Sequence, residues 1–144
     1  MKFFLDNCVS PKLARALREF HRKDPVEGAA HHQEFEHEIA FLKEKYPQRT
    51  GDELWLPEVT AQGYIFVTTD RRIYKNEAQH RICRDARATG FFLAKGFEHL
   101  MKWEQAAKLF GYWPKILKAA AKISPGGDLW LVQLNGEMEL GKNK

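Results

Sequence analysis

Apolar residues fall along this chain in short runs, separated by stretches in which they recur at helical spacing. The first run, "KFFLD" from Lys2 to Asp6, sets three apolar residues before a carboxylate, as a strand buried on both faces does. Next, "SPKLARALREF" offers Ser10 as an N-cap, Pro11 at the first helical position, and Leu13, Leu17 and Phe20 at helical spacing. Residues 21–51 are less regular. "HRKDPVEGAAHHQ" reads as loop or weak strand, and "EFEHEIAFLKEKY" repeats Phe35, Ile39 and Leu42 as a helix would, with Pro47 stopping it.

"GDELWLPEVTAQG" predicts a helix opening at Gly51 or Asp52, with Leu54, Trp55 and Val59 apolar, Pro57 restricting its geometry and Gly63 ending it. A strand then runs from Tyr64 to Asp70. The segment from Asn76 to Thr89 predicts a helix with Ile82, Cys83 and Ala86 on one side, ended by Gly90. "FFLA" is a third apolar strand. "FEHLMKWEQAAKLF" and "WPKILKAAAKI" predict two further helices, with Leu100, Met101 and Trp103, then Ile116, Leu117 and Ala120, as their apolar sides. In "DLWLVQLNGEMEL", Asn135-Gly136 between two apolar-rich arms signals a hairpin. Strands alternating with helices predict an α/β fold around a mostly parallel sheet.

Composition adjusts this picture only a little. The 144 residues, 44% hydrophobic and 29% charged, suit a single domain over residues 1–144. A formal charge of +4, spread along the chain, tolerates a polyanionic partner without requiring one. Cys8 and Cys83 are too few for a disulfide framework or zinc ribbon, and a reducing compartment is expected. Met1-Lys2 leads straight into the first strand, so no signal peptide is expected, and no run approaches the ~20 apolar residues of a membrane span. The expected location is the cytoplasm.

The chemistry concentrates at strand ends. Both Asp6 and Asp70 close apolar runs, and in open α/β sheets sites form beyond the carboxyl ends of strands. Asp52 and Glu53 open the helix just before the Asp70 strand, where they can join the other two. Carboxylates without histidine or thiolate partners favour a hard cation such as Mg²⁺ or Mn²⁺, which can activate water against a phosphodiester. Arg71, Arg72, Lys75, Arg81, Arg84 and Arg87 follow and are suited to backbone phosphates. On pattern alone the bland reading stays open: a strand-end aspartate often serves only as a helix cap or loop acceptor, and the arginines as a solvated helix face.

The stretches "FLDNCVSPKLARAL", "GDELWLPEV", "YIFVTTDRRIYKNEAQ" and "GFFLAKGF", in this order, resemble the PIN-like domain family, in particular the group related to VapC-type toxin ribonucleases. The resemblance covers about the first 100 residues, and the C-terminal helices and hairpin are similar to that subgroup's tail. It implies a three-layer α/β sandwich, a short mostly parallel sheet flanked by helices with a C-terminal hairpin, whose clustered acids bind Mg²⁺ or Mn²⁺ and cleave RNA. Asp6 matches the first-strand acid, Asp52 the acid opening the "DE" helix, and Asp70 the acid closing the "TxD" strand, with Thr68 its threonine. Asn7 and Glu53 stand where they could support the site. Many relatives carry another acid two positions after the "TxD" aspartate, where this chain has Arg72; Glu77 and Asp85 are the candidates for a fourth acid. The connection over residues 21–49 is longer than the family's usual one. The resemblance further implies a toxin of a type II toxin-antitoxin pair, a small antitoxin partner and a homodimer. A catalytically silent RNA-binding module and a DNA-directed nuclease are the alternatives.

Other features support blander roles. "HHQEFEH" offers His31, His32, Glu34, Glu36 and His37 but lacks the i, i+4 histidine pair of a zinc helix. Cys8 follows a buried strand and reads as a packing residue. Position 8 also lacks the second acid of a haloacid dehalogenase phosphotransfer site, and "PGGD" lacks the Walker lysine. Trp55, Trp103, Trp113 and Trp130 are expected in core or interface, with Tyr112 or Trp113 stacking on a base as a secondary option.

Overall fold

A computed structural model describes residues 1–23, 35–47, 50–122 and 127–141. Six strands form one sheet in the order β2-β1-β3-β4-β5-β6: β1 (Lys2–Leu5), β2 (Glu38–Phe41), β3 (Tyr64–Thr68), β4 (Gly90–Leu93), β5 (Leu129–Val132) and β6 (Met138–Leu140). The first five are mutually parallel, and β6 returns antiparallel to β5. This is the expected mostly parallel sheet with a terminal hairpin, and Gly136 supplies the positive φ, 89°, that its turn requires.

Side-chain alternation splits the core into two layers. Phe3, Leu5, Ile39, Phe41, Ile65, Val67, Phe91 and Leu93 point to the face covered by α1 (Pro11–Phe20) and α6 (Lys102–Ala120). Phe4, Ala40, Tyr64, Phe66 and Phe92 point to the other, under α3 (Asp52–Ala61), α4 (Arg72–Lys75) and α5 (Glu77–Ala86). Because both faces are covered, the strands read as unbroken apolar runs. Ser10 caps α1 by accepting from the Leu13 amide at 3.2 Å, with Pro11 at the first position as expected.

Four expectations need correction. Phe35, Ile39 and Leu42 do not share a helix face. Residues Glu38–Phe41 are the edge strand β2, followed by the short α2 (Leu42–Lys45), because Ile39 and Phe41 serve one core layer while Ala40 and Leu42 serve the other. Of the predicted α3 face, Trp55 and Val59 are buried but Leu54 is exposed, its place taken by Leu56. Helix α5 ends at Arg87 in the left-handed region (φ 55°), and Gly90 instead opens β4, where a side chain would run into the Phe66 ring. The two predicted C-terminal helices are one, α6, which continues through Pro114; Leu100 and Met101 precede it, and Met101 and Trp103 are exposed.

The winding fixes where a site can form. From β1 the chain crosses over one face to β2, then returns over the other face to β3 on the opposite side of β1. The carboxyl ends of β1 and β3 therefore flank the point where the winding reverses, and the crevice that opens there is where ligands bind in such sheets. A fourth crossover, β4 to β5, moves in the same direction as β3 to β4 but uses α6 on the α1 face, so its hand is opposite to theirs.

Candidate functional site at the switch point

Asp6 and Asp70 lie at that reversal, one residue beyond β1 and two beyond β3. Between them "TTD" does more than end a strand. Thr68 is fully buried; its hydroxyl donates to Asp6 Oδ2 at 2.8 Å and accepts from the Asp70 amide at 3.0 Å. One hydroxyl thus positions both acids. The next threonine, Thr69, donates its hydroxyl to Glu98 Oε1, and its amide donates to Cys8 Sγ at 3.0 Å. The Asn7 amide completes the Asp6 carboxylate, donating to Oδ1 at 2.7 Å.

Asp6, Asp52, Asp70 and Glu98 share one open pocket of about 930 Å³, whose wall also includes Asn7, Arg71, Arg72, Lys75 and Lys95. Asp52 reaches it from the first turn of α3, where its Oδ1 accepts from the Trp55 indole at 2.9 Å. Glu98 comes from the 3-10 turn Lys95–His99 that follows β4. This is the acid the sequence reading missed. The quoted "GFFLAKGF" stops one residue before it, and the signal was available: an acid five residues beyond the carboxyl end of β4, a parallel strand beside β3.

The electrostatics are those of a partly neutralised acid cluster. Burial pushes the Asp6 carboxyl up, with Asp70 and Glu98 adding to the shift against the hydrogen bonds from Asn7 and Thr68. Asp52 is pushed up to about 6, by burial first and then by the charges of Asp6 and Asp70. Asp70 moves the other way, because Arg72 holds it. Nε donates to Oδ1 at 2.9 Å, Nη2 to Oδ2 at 2.8 Å and the Arg72 amide to Oδ1 at 3.0 Å.

Of the remaining expected site residues, Glu53 is exposed with its carboxylate folded back against Gly51, off the pocket wall. Glu77 is no fourth acid: its side chain is 90% exposed and faces Arg81 at 3.8 Å along α5, and Asp85 is exposed on the same helix. Arg81 and Arg84 are exposed on α5 away from the pocket wall, and Arg87 serves as the α5 C-cap. Cys8 packs under the site with its thiol pushed up to about 12 by burial, which suits a packing residue and not a nucleophile. Tyr112 and Trp113 are buried, donating to the Leu134 carbonyl and to His21, and so present no face to a base. His31, His32 and Glu34 lie outside the described residues, and His37 accepts from the N-terminal amine at 3.1 Å.

The donor set fits a divalent cation in kind. All four groups are hard oxygen donors, and Asp6 and Asp52 are raised by burial first and by the neighbouring acids second. In spacing they do not close on one point: among the described residues no three His, Cys, Asp or Glu stand together closely enough to hold a metal ion. Among those residues no helix is long and apolar enough to cross a membrane.

The sequence profile of one family, described as a PIN-like domain, matches residues 1–95, a span holding every residue that lines the pocket except Glu98. No curated protein and no solved structure matches the chain.

Proposed function

The chain belongs to the PIN-like domain family, and on that premise we propose that it is a metal-dependent endoribonuclease, the toxin half of a type II toxin-antitoxin pair. PIN-like domains are in general nucleases, and typically use divalent metal ions. The observation that carries the proposal is the convergence of Asp6, Asp52, Asp70 and Glu98 on one pocket at the reversal of the sheet winding, beside Arg71, Lys75 and Lys95.

In this reading Asp6, Asp52, Asp70 and Glu98 hold Mg²⁺ or Mn²⁺, which when bound supplies Lewis-acid activation of water and of the phosphate. Thr68 and Thr69 keep Asp6 and Glu98 in place before anything binds, so little ordering remains to be done in the complex. Arg71 is the arginine best placed to turn to a phosphate: it lines the pocket, and its buried Nε and Nη2 have no hydrogen-bond partner among the described residues. Lys75 and Lys95 neutralise neighbouring phosphates as point charges. A small antitoxin protein filling the acid pocket, and a homodimer, complete the proposal.

A silent RNA-binding module is the second reading, and the Arg72 fork on Asp70 is what favours it, since it occupies both oxygens of a would-be metal ligand. Cleavage assays on matched structured RNA and single-stranded DNA, with Mn²⁺ and with chelator, separate the readings. The ribonuclease cuts RNA only with metal, and Asp70→Asn abolishes cutting. Chelator-insensitive RNA binding without cleavage would establish the silent module, and cutting of DNA alone would establish the DNA-directed alternative.

A further inference from the structure

Arg72 stands two positions after Asp70, and its guanidinium is itself a cation seated in the acid cluster. It engages both Asp70 oxygens through two charge-assisted bonds of 2.9 and 2.8 Å, and it lies in the fields of Asp52 and Glu98 as well. Yet the side chain is 83% exposed, so apart from Asp70 little holds it there, and it can swing into solvent or onto a ligand without unpacking anything. Asp70 itself is held independently, by its amide on Thr68 and by the Arg72 amide on Oδ1.

We propose that Arg72 is a latch: resting on Asp70 it competes with a divalent cation for that carboxylate, and a phosphate of the incoming nucleic acid draws it off. The inference rests on reading the pocket as a cation-dependent nuclease site. Guanidinium pairs with phosphate in the same two-pronged way as with carboxylate, so the exchange costs no hydrogen bond. Removing the guanidinium frees Asp70 Oδ2 and leaves Oδ1 with the Arg72 amide alone, and the cation no longer has to displace the side chain. Because linkage is reciprocal, nucleic acid then raises cation affinity by the factor that cation raises nucleic-acid affinity. The consequence is a site that is poorly loaded until substrate arrives.

The test is Mn²⁺ binding, read by the resonance signal of the free ion, to wild type, Arg72→Ala and Arg72→Lys, with and without a short nuclease-resistant phosphorothioate oligonucleotide. Arg72→Ala is expected to bind Mn²⁺ roughly three- to tenfold tighter than wild type, the range expected for loss of an exposed fork plus one nearby positive charge. Arg72→Lys, which keeps the charge but not the fork, falls between. The oligonucleotide tightens Mn²⁺ binding more in wild type than in Arg72→Ala. Equal or weaker Mn²⁺ binding in Arg72→Ala would overturn the latch while leaving the nuclease reading intact. No Mn²⁺ binding by any of the three would overturn both.

Discussion

Thr68 carries more of the site than its size suggests. Its single hydroxyl donates to Asp6 and accepts from the Asp70 amide, tying the ends of β1 and β3 together at full burial. Thr68→Val keeps the shape and removes both bonds, leaving a buried carboxylate oxygen and a buried amide short of partners. A loss of about 1–3 kcal/mol in urea denaturation is expected, with Thr68→Ser close to wild type. Asp52 predicts the opposite sign. Its folded-state pKa of about 6 lies above the ordinary 3.8, so the fold binds its proton more tightly than the unfolded chain does. The stability this contributes is fully present below about pH 4 and is lost as pH rises through about 6. Asp52→Asn keeps an acceptor for Trp55 and removes the repulsion. In chelator at pH 7 it is expected to be more stable than wild type by about 1 kcal/mol, a figure discounted for the half-exposed carboxyl, with the gap closing near pH 4. A site residue whose removal stabilises the fold is the signature of charge gathered for function.

At the scale of elements, the sheet was legible wherever one period ruled a segment. Lys2–Leu5, Tyr64–Thr68 and the hairpin read directly, because strands buried on both faces become uninterrupted apolar runs and Asn135-Gly136 has one favoured turn. Strand β2 did not, since Phe35, Ile39 and Leu42 match a helical spacing by coincidence while Ile39 and Ala40 serve opposite core layers. Gly90 was misplaced for a related reason. Glycine marks helix ends in sequence, but here it marks the close approach of β4 to the Phe66 ring on β3. Gly90→Ala therefore inserts a methyl group into a filled space between two central strands. A loss of about 1–3 kcal/mol in denaturation is expected, where a helix-ending glycine of ordinary φ would have cost almost nothing.

For the molecule as a whole, what positions the site is the winding, which no local pattern encodes. The order β2-β1-β3 brings together acids 64 positions apart, Asp6 and Asp70, and the turn after β4 adds Glu98. Asp6 and Asp70 were legible because each closes an apolar run, and Asp52 because it opens the helix just before the Asp70 strand. Glu98 was not, because it lies in a 3-10 turn that the sequence reads as helix. The family match ends at residue 95, and the crossover of opposite hand, through α6, begins just beyond it. That tail covers the α1 face and returns as β5 and β6 to complete the sheet.

In the proposed ribonuclease the acids gathered at the switch point act together on a phosphodiester. The most direct measurement is the rate of RNA cleavage across a Mn²⁺ titration for wild type, Asp6→Asn and Glu98→Gln, with folding of each checked by its denaturation curve. The account predicts saturable, Mn²⁺-dependent cleavage by wild type, loss of at least about 100-fold in Asp6→Asn, and a shift of the Mn²⁺ midpoint to higher concentration in Glu98→Gln. Cleavage at the wild-type rate by a folded Asp6→Asn would contradict it.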